Sequence, residues 1–305
     1  MGIYQQIQRN KRNTLLFLGL FILLIVAVVY AAAISLDPQA AYVFTTLAFI
    51  FTLIGSFFSY YYSDKILLKM ANARPVSRER EPYLYHTIEG VAIAAGIPTP
   101  KAYVIETDVP NAFATGRNPD NSAVAVTRGL LNMLNREELE GVIAHEMAHI
   151  KNYDILFATL VVVLAGTLVY LSAILRRAFF FGGGGYRGNR SGGGKANPII
   201  MIIGLLTIVL APIAAKIAQM AVSRNREYLA DATAANMLGY PMGLASALEK
   251  LARYNDPVKA KREGFANEAN AGLFIVNPLA KRVNFDSLFS THPPIEKRVE
   301  RLRNM

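Results

Sequence analysis

His145, Glu146 and His149 stand in the stretch Gly141 to Ile150, GVIAHEMAHI, and form the pattern H-E-x-x-H. On an α-helix a spacing of four puts both imidazoles on one face, one turn apart, where they can bind one zinc ion. Glu146 lies beside the first of them. From there its carboxylate can take a proton from an attacking water and later deliver it to a leaving amine. Chance produces this five-residue pattern in a chain of this length about once in a hundred. The chain has four His, at 86, 145, 149 and 292, so half of them fall in this motif. There is no Cys, which excludes disulfides, a thiol nucleophile and Cys-ligated metal.

A catalytic zinc site keeps three protein ligands and one open position. No third His follows at the metzincin spacing, so the third ligand must come from elsewhere in the chain. The stretch Ser223 to Asp231, SRNREYLAD, offers Glu227 and Asp231, four apart on one predicted helix face. One can ligate while the other accepts the ring N–H of a ligating His. His292, in Thr291-His292-Pro293-Pro294, is placed to donate to the oxyanion of a tetrahedral intermediate. Asn111, in Val109-Pro110-Asn111-Ala112, lies beside a predicted strand and is placed to hold a substrate amide. His86 has no motif around it and reads as an ordinary helix-face His.

These side chains need elements to hold them. Asn135 caps the helix of the H-E-x-x-H motif, with Glu138 three residues on completing a capping box. Tyr83 to Ala95 reads as a helix, and Gly96-Ile97-Pro98 breaks it. Ala102 to Glu106 and Ala123 to Thr127 read as strands, and Asn118-Pro119-Asp120-Asn121 as a turn between extended pieces. Helix continues from Lys216 through Leu238, stops at Gly239-Tyr240-Pro241, resumes over Met242 to Tyr254, and a short basic helix ends the chain.

Apolar residues make up 53 % of the chain and charged ones 18 %, against about 25 % charged in soluble domains. Disorder and an ordinary soluble protein are both excluded. A bilayer core of about 30 Å needs roughly 20 apolar helical residues. Four uncharged runs reach that length: Thr14 to Leu36, Ala40 to Ser63, Ile155 to Leu175 and Ala196 to Ala215. The organisation expected is an N-terminal transmembrane hairpin over 1–63, a first catalytic half over 64–154, a second hairpin with a Gly-rich loop over 155–215, and a second catalytic half over 216–305.

Arg9, Lys11 and Arg12 precede the first run, ten Lys and Arg lie between Asp64 and Asp154 and fourteen between Lys216 and Met305, and the positive-inside rule puts these three regions in the cytoplasm. The Arg176 to Lys195 loop then lies outside, although its basic residues oppose the rule. Juxtamembrane attraction to anionic lipid accounts for the charge, and no basic stripe interleaved with aromatics points to nucleic acid. Gly183 to Gly188 matches G-x-G-x-x-G, but it joins two membrane runs rather than a strand and a helix, so no nucleotide is expected. Charges around the metal helix (Glu137, Glu138, Glu140, Lys151, Asp154) exclude burial in lipid.

Taken together, GVIAHEMAHIKNYD, SRNREYLADATAANMLGYP, PNAFATG and STHPPIEKR resemble the HtpX family of membrane zinc metallopeptidases and, more distantly, the CAAX prenyl-protein endopeptidases. Two features depart from that pattern. Thr291 stands where Ser is commoner, and the length of the Gly182 to Gly194 loop is not carried over. The resemblance implies an α+β membrane protein: four transmembrane helices and a mostly helical, zincin-like catalytic domain with a small β-sheet. It implies one Zn2+ held by His145, His149 and Glu227, with Glu146 as general base and Asp231 behind His145. It implies a bacterial inner-membrane location with the catalytic domain facing the cytoplasm. The substrates implied are proteins or peptides, mainly damaged membrane proteins, and self-cleavage is expected. The rival reading is a non-catalytic membrane scaffold with a structural zinc, for which His292 would supply a fourth ligand.

Overall fold

The computed structural model describes residues 3–34, 38–165, 224–254, 275 and 293–305. Helices α1 (Ile3–Ile34) and α2 (Pro38–Met70) pack on each other, and within them Gln8–Ala31 and Ala41–Met70 are long and apolar enough to cross a bilayer. Large apolar side chains such as Leu15, Leu20, Phe51 and Phe57 are exposed along them. Such surface is stable only against lipid or a partner. A third helix, Asp154–Ala165, begins the third apolar run at 88° to the helix before it. It is buried, with Phe17 and Phe21 of α1 packed on its Val161 and Leu164. The rest of that run, the Gly-rich loop and the fourth run lie outside the described residues. Two spans are therefore seen among the described residues, or three if the bent pair counts as one, where the sequence led us to expect four.

Four strands form one mixed sheet: β1 (Arg74–Pro75), β2 (Lys101–Ile105), β3 (Ala112–Asn118) and β4 (Asn121–Thr127), in the order β1-β2-β4-β3. β2 and β4 run parallel, with Tyr103 beside Ala125. β3 and β4 form an antiparallel hairpin that closes at Asn118 and Asn121, where the Asn-Pro-Asp-Asn turn was expected. β3 is thus an edge strand of this sheet.

Helix α3 (Pro82–Ala95) ends at Gly96, whose φ of 66° is the left-handed conformation Gly adopts without strain. Short α4 (Arg128–Met133) leads to α5 (Arg136–Lys151), which carries the H-E-x-x-H motif. With the helix Asp154–Ala165 as α6, the chain continues in α7 (Arg224–Leu238), α8 (Met242–Tyr254) and α9 (Ile295–Arg303).

α5 lies at the centre of the core, packed by α3, β3, α7 and α8. Leu139, Val142, Ile143, Met147 and Ile150 are buried among Ile88, Val126 and Leu248. From Gly141 to Ala148 the helix is buried on all sides, which its small residues permit. A Cβ at Gly141 would lie 2.5 Å from the Leu244 backbone nitrogen, and one at Gly243 would strike the Glu137 carbonyl. The two glycines therefore let α5 and α8 cross backbone against backbone.

The capping box is present. The Glu138 N–H donates to Asn135 Oδ1 at 2.9 Å, and the Asn135 N–H to Glu138 Oε2 at 2.9 Å. Buried Glu138 also accepts from Ser246 Oγ and Lys250 Nζ, both at 2.7 Å. Burial opposes its charge, but Lys250 and the hydroxyl and amide donors outweigh burial and hold its carboxyl below the usual range. One side chain thus starts α5 and ties it to α8.

Candidate metal centre

Three elements bring the chemistry together. α5 presents His145, Glu146 and His149, α7 presents Glu227 and Asp231, and β3 passes beside them. Because Glu227 and Asp231 are one turn apart, both reach the same side of α5.

The two His Nε2 atoms lie 3.3 Å apart. Glu227 Oε2 is 3.7 Å from His145 Nε2, and Glu227 Oε1 is 3.5 Å from His149 Nε2. A tetrahedral ion with ligand bonds of about 2.0–2.1 Å sets its donors about 3.3 Å apart. The spacing of the three donors fits such an ion, and two imidazoles with one carboxylate are a donor set that zinc accepts. Asp231 Oδ1 sits 2.9 Å from His145 Nδ1, so this His keeps Nε2 for the cluster.

Glu146 is buried and turned to the sheet, where the Ala114 N–H donates to its Oε2 at 2.7 Å. Its pKa is raised, chiefly by burial and further by the Glu227 charge, against the pull of both imidazoles and the Ala114 amide. A carboxylate pushed upward is a better base near neutrality.

Burial and the Arg298 guanidinium disfavour a charged His145, yet Asp231 and Glu227 outweigh them and raise it to about 9. Burial likewise opposes charge on Asp231, but Arg298 and His145 hold it at about 2. A proton therefore occupies His145 at neutral pH in the metal-free protein, and an incoming ion must displace it. Between pH 7 and 9 metal affinity should rise about tenfold per unit, then level as His145 loses its proton unaided. Chelator competition across pH 6.5–9.5 measures this, and a flat profile would contradict it. The linked stability runs the other way. The folded pKa lies above the ordinary 6.5. The metal-free fold thus keeps that contribution below about pH 6.5 and loses it as pH rises through about 9.

Arg298, the last residue of STHPPIEKR, was given no role in the sequence reading. It is 1 % exposed on α9 and grips Asp231 with Nε at 2.8 Å and Nη2 at 2.7 Å. Its Nη1 donates to the Ile275 carbonyl at 3.1 Å and lies 3.6 Å from Glu227 Oε2. The C-terminal helix, read only as short and basic, therefore holds a carboxylate of the site. Asn111 precedes β3 and is buried. Its backbone is tied to Thr127, and its Oδ1 accepts the Ala112 N–H at 3.0 Å. His292 lies outside the described residues. His86 sits on the exposed face of α3, 3.1 Å from Glu89, away from the cluster.

The profile described as Peptidase family M48 matches residues 78–305. A protease HtpX homolog of Dictyoglomus turgidum is 44 % identical over 302 residues, 99 % of this chain and 94 % of that protein. One from Thermococcus sibiricus is 50 % identical over 259 residues, 85 % of each chain. One from Streptococcus gordonii is 42 % identical over 303 residues, 99 % of this chain and all of that protein. The crystal structure of S. mikatae Ste24p covers 97 % of this chain and 66 % of its own at 19 % identity, with a TM-score of 0.47.

Proposed function

Since this chain belongs to peptidase family M48, we propose that it is a membrane-embedded zinc endopeptidase that cuts damaged or misfolded membrane proteins on the cytosolic side. The observation that carries the reading is the trio His145, His149 and Glu227 at zinc-donor spacing, beside a buried Glu146 that is not one of the three. When bound, zinc would polarise the scissile carbonyl and acidify the attacking water.

The chain's own residues supply the rest. Glu146 takes the proton of that water and hands it to the departing amine. The Ala114 N–H fixes the carboxylate on the sheet side. Asp231, held by Arg298, keeps the His145 ring turned. β3 offers an edge for extended substrate backbone, with Asn111 at its start, and His292 donates to the developing oxyanion.

The feet of the first hairpin support the placement in the membrane. Asn10 of α1 reaches the turn after α5, and Leu67 and Leu68 of α2 pack with Val109 and Phe113 of the catalytic domain. Both ends of the hairpin thus meet that domain, and Arg9, Lys11 and Arg12 stand at that end. The positive-inside rule makes this the cytoplasmic side of a multi-pass inner-membrane protein.

The test uses the purified protein reconstituted with a destabilised multi-span reporter whose loops carry different tags on the two faces. Cuts should fall in loops on the face of the catalytic domain, with slower cuts in the enzyme's own chain. Cuts confined to the opposite face would overturn the placement.

A further inference from the structure

His145 and His149 do not owe their orientation to the same part of the molecule. Behind His145 stands Asp231, fixed by Arg298 within the catalytic domain. Behind His149 stands Asp154, with Oδ2 3.2 Å from His149 Nδ1. Asp154 is 5 % exposed and five residues beyond His149, across the corner where α5 ends and α6 begins. That corner is sharp. Asn152 caps α5, and Tyr153 takes a φ of 59°, a left-handed conformation that L side chains adopt at a cost. The turn brings Asp154 back beside His149 Nδ1.

What holds the turn comes from the first membrane helix. Asn10 Nδ2 donates to Asp154 Oδ1 at 2.6 Å and to the Asn152 carbonyl at 3.0 Å. The next residue, Lys11, places its Nζ 4.6 Å from the centre of the Tyr153 ring. One carboxylate oxygen of Asp154 thus faces a metal-binding imidazole, and the other is engaged by a residue more than 140 positions earlier.

We propose that Asn10 is a positioning residue for the metal centre: it anchors Asp154, which turns the His149 ring so that Nε2 faces the other donors. The inference rests on the zinc-peptidase reading. Ligand geometry at one of the two His is then tied to the seating of α1 against the catalytic domain, and α1 is part of the site as well as a membrane anchor.

The test measures zinc affinity by chelator competition on the full-length protein in detergent, together with the absorption spectrum of its Co2+ form. Asn10→Ala and Asn10→Asp should each weaken zinc binding about tenfold or more, as removal of an outer-shell partner does. Each should also shift the Co2+ bands. Asn10→Asp keeps the side chain's shape and replaces the donor with a carboxylate facing Asp154, so one variant close to the native packing is available. Asp154→Ala should weaken binding at least as much, and adding Asn10→Ala to it should cost little more, because the two act in series. Gln8→Ala, exposed on the same helix, should bind like wild type.

Wild-type affinity and spectrum in both Asn10 variants would overturn the inference, as would losses in the double variant that simply add. Either result leaves the peptidase reading standing if the wild type binds zinc and cleaves. A wild type that binds no zinc would sink that reading itself.

Discussion

Glu146→Gln is expected to lower peptide cleavage by about 100-fold or more while zinc stays bound. The substitution keeps the size of the side chain and leaves an amide oxygen for the Ala114 N–H, which now donates to Glu146 at 2.7 Å. It touches none of the three donors His145, His149 and Glu227. Only the capacity to take and return a proton is lost. Zinc content and turnover, measured on the same preparation, separate this effect from damage to the site. Wild-type turnover in the variant would remove Glu146 from the mechanism.

Arg298→Met should be the most damaging single change to the fold. The guanidinium is 1 % exposed and grips Asp231, which is 2 % exposed, with two nitrogens at 2.7 and 2.8 Å. Removing the guanidinium leaves the buried Asp231 charge with the His145 imidazole as its remaining partner, in a medium that solvates it poorly, at a cost of up to about 3–5 kcal/mol. Denaturant titration of the detergent-solubilised protein measures the loss. Zinc affinity should fall as well, because Asp231 no longer holds the His145 ring in place. Adding Asp231→Asn should recover part of the stability, since the stranded charge is gone. Wild-type stability in Arg298→Met would mean that the pair contributes nothing to the fold.

Patterns local to the sequence were the legible ones. The motif on α5, its capping box and the Glu227–Asp231 spacing all follow from 3.6 residues per turn, and the structure places them on helices as read. The stops at Gly96 and Gly239 were legible because both residues take positive φ, near 65°, which only Gly adopts freely. The first two apolar runs were legible by length alone.

Contacts distant in sequence were not. Arg298 lies among Glu296, Lys297, Glu300, Arg301 and Arg303, so its charge suggested solvent. The available signal was its neighbours Val299 and Leu302, buried on the same face. β3 was legible only as an extended piece without bounds before the turn, because AFATGRN has little β-branched content and draws its stability from pairing with β4. Asp154 was read only as one of the charges around the metal helix, and Asn10 was not singled out. The corner at Tyr153 and the packing of α1 brought them together.

Proteolysis before and after metal exchange tests the central claim most directly. The purified protein is stripped with a chelator, given an unfolded membrane substrate, and then titrated with zinc. Cleavage should stop on stripping and return in full at one zinc per chain, with Glu146→Gln inactive throughout. Undiminished cleavage by the stripped protein, or a protein that binds one zinc per chain and cuts nothing, would contradict it.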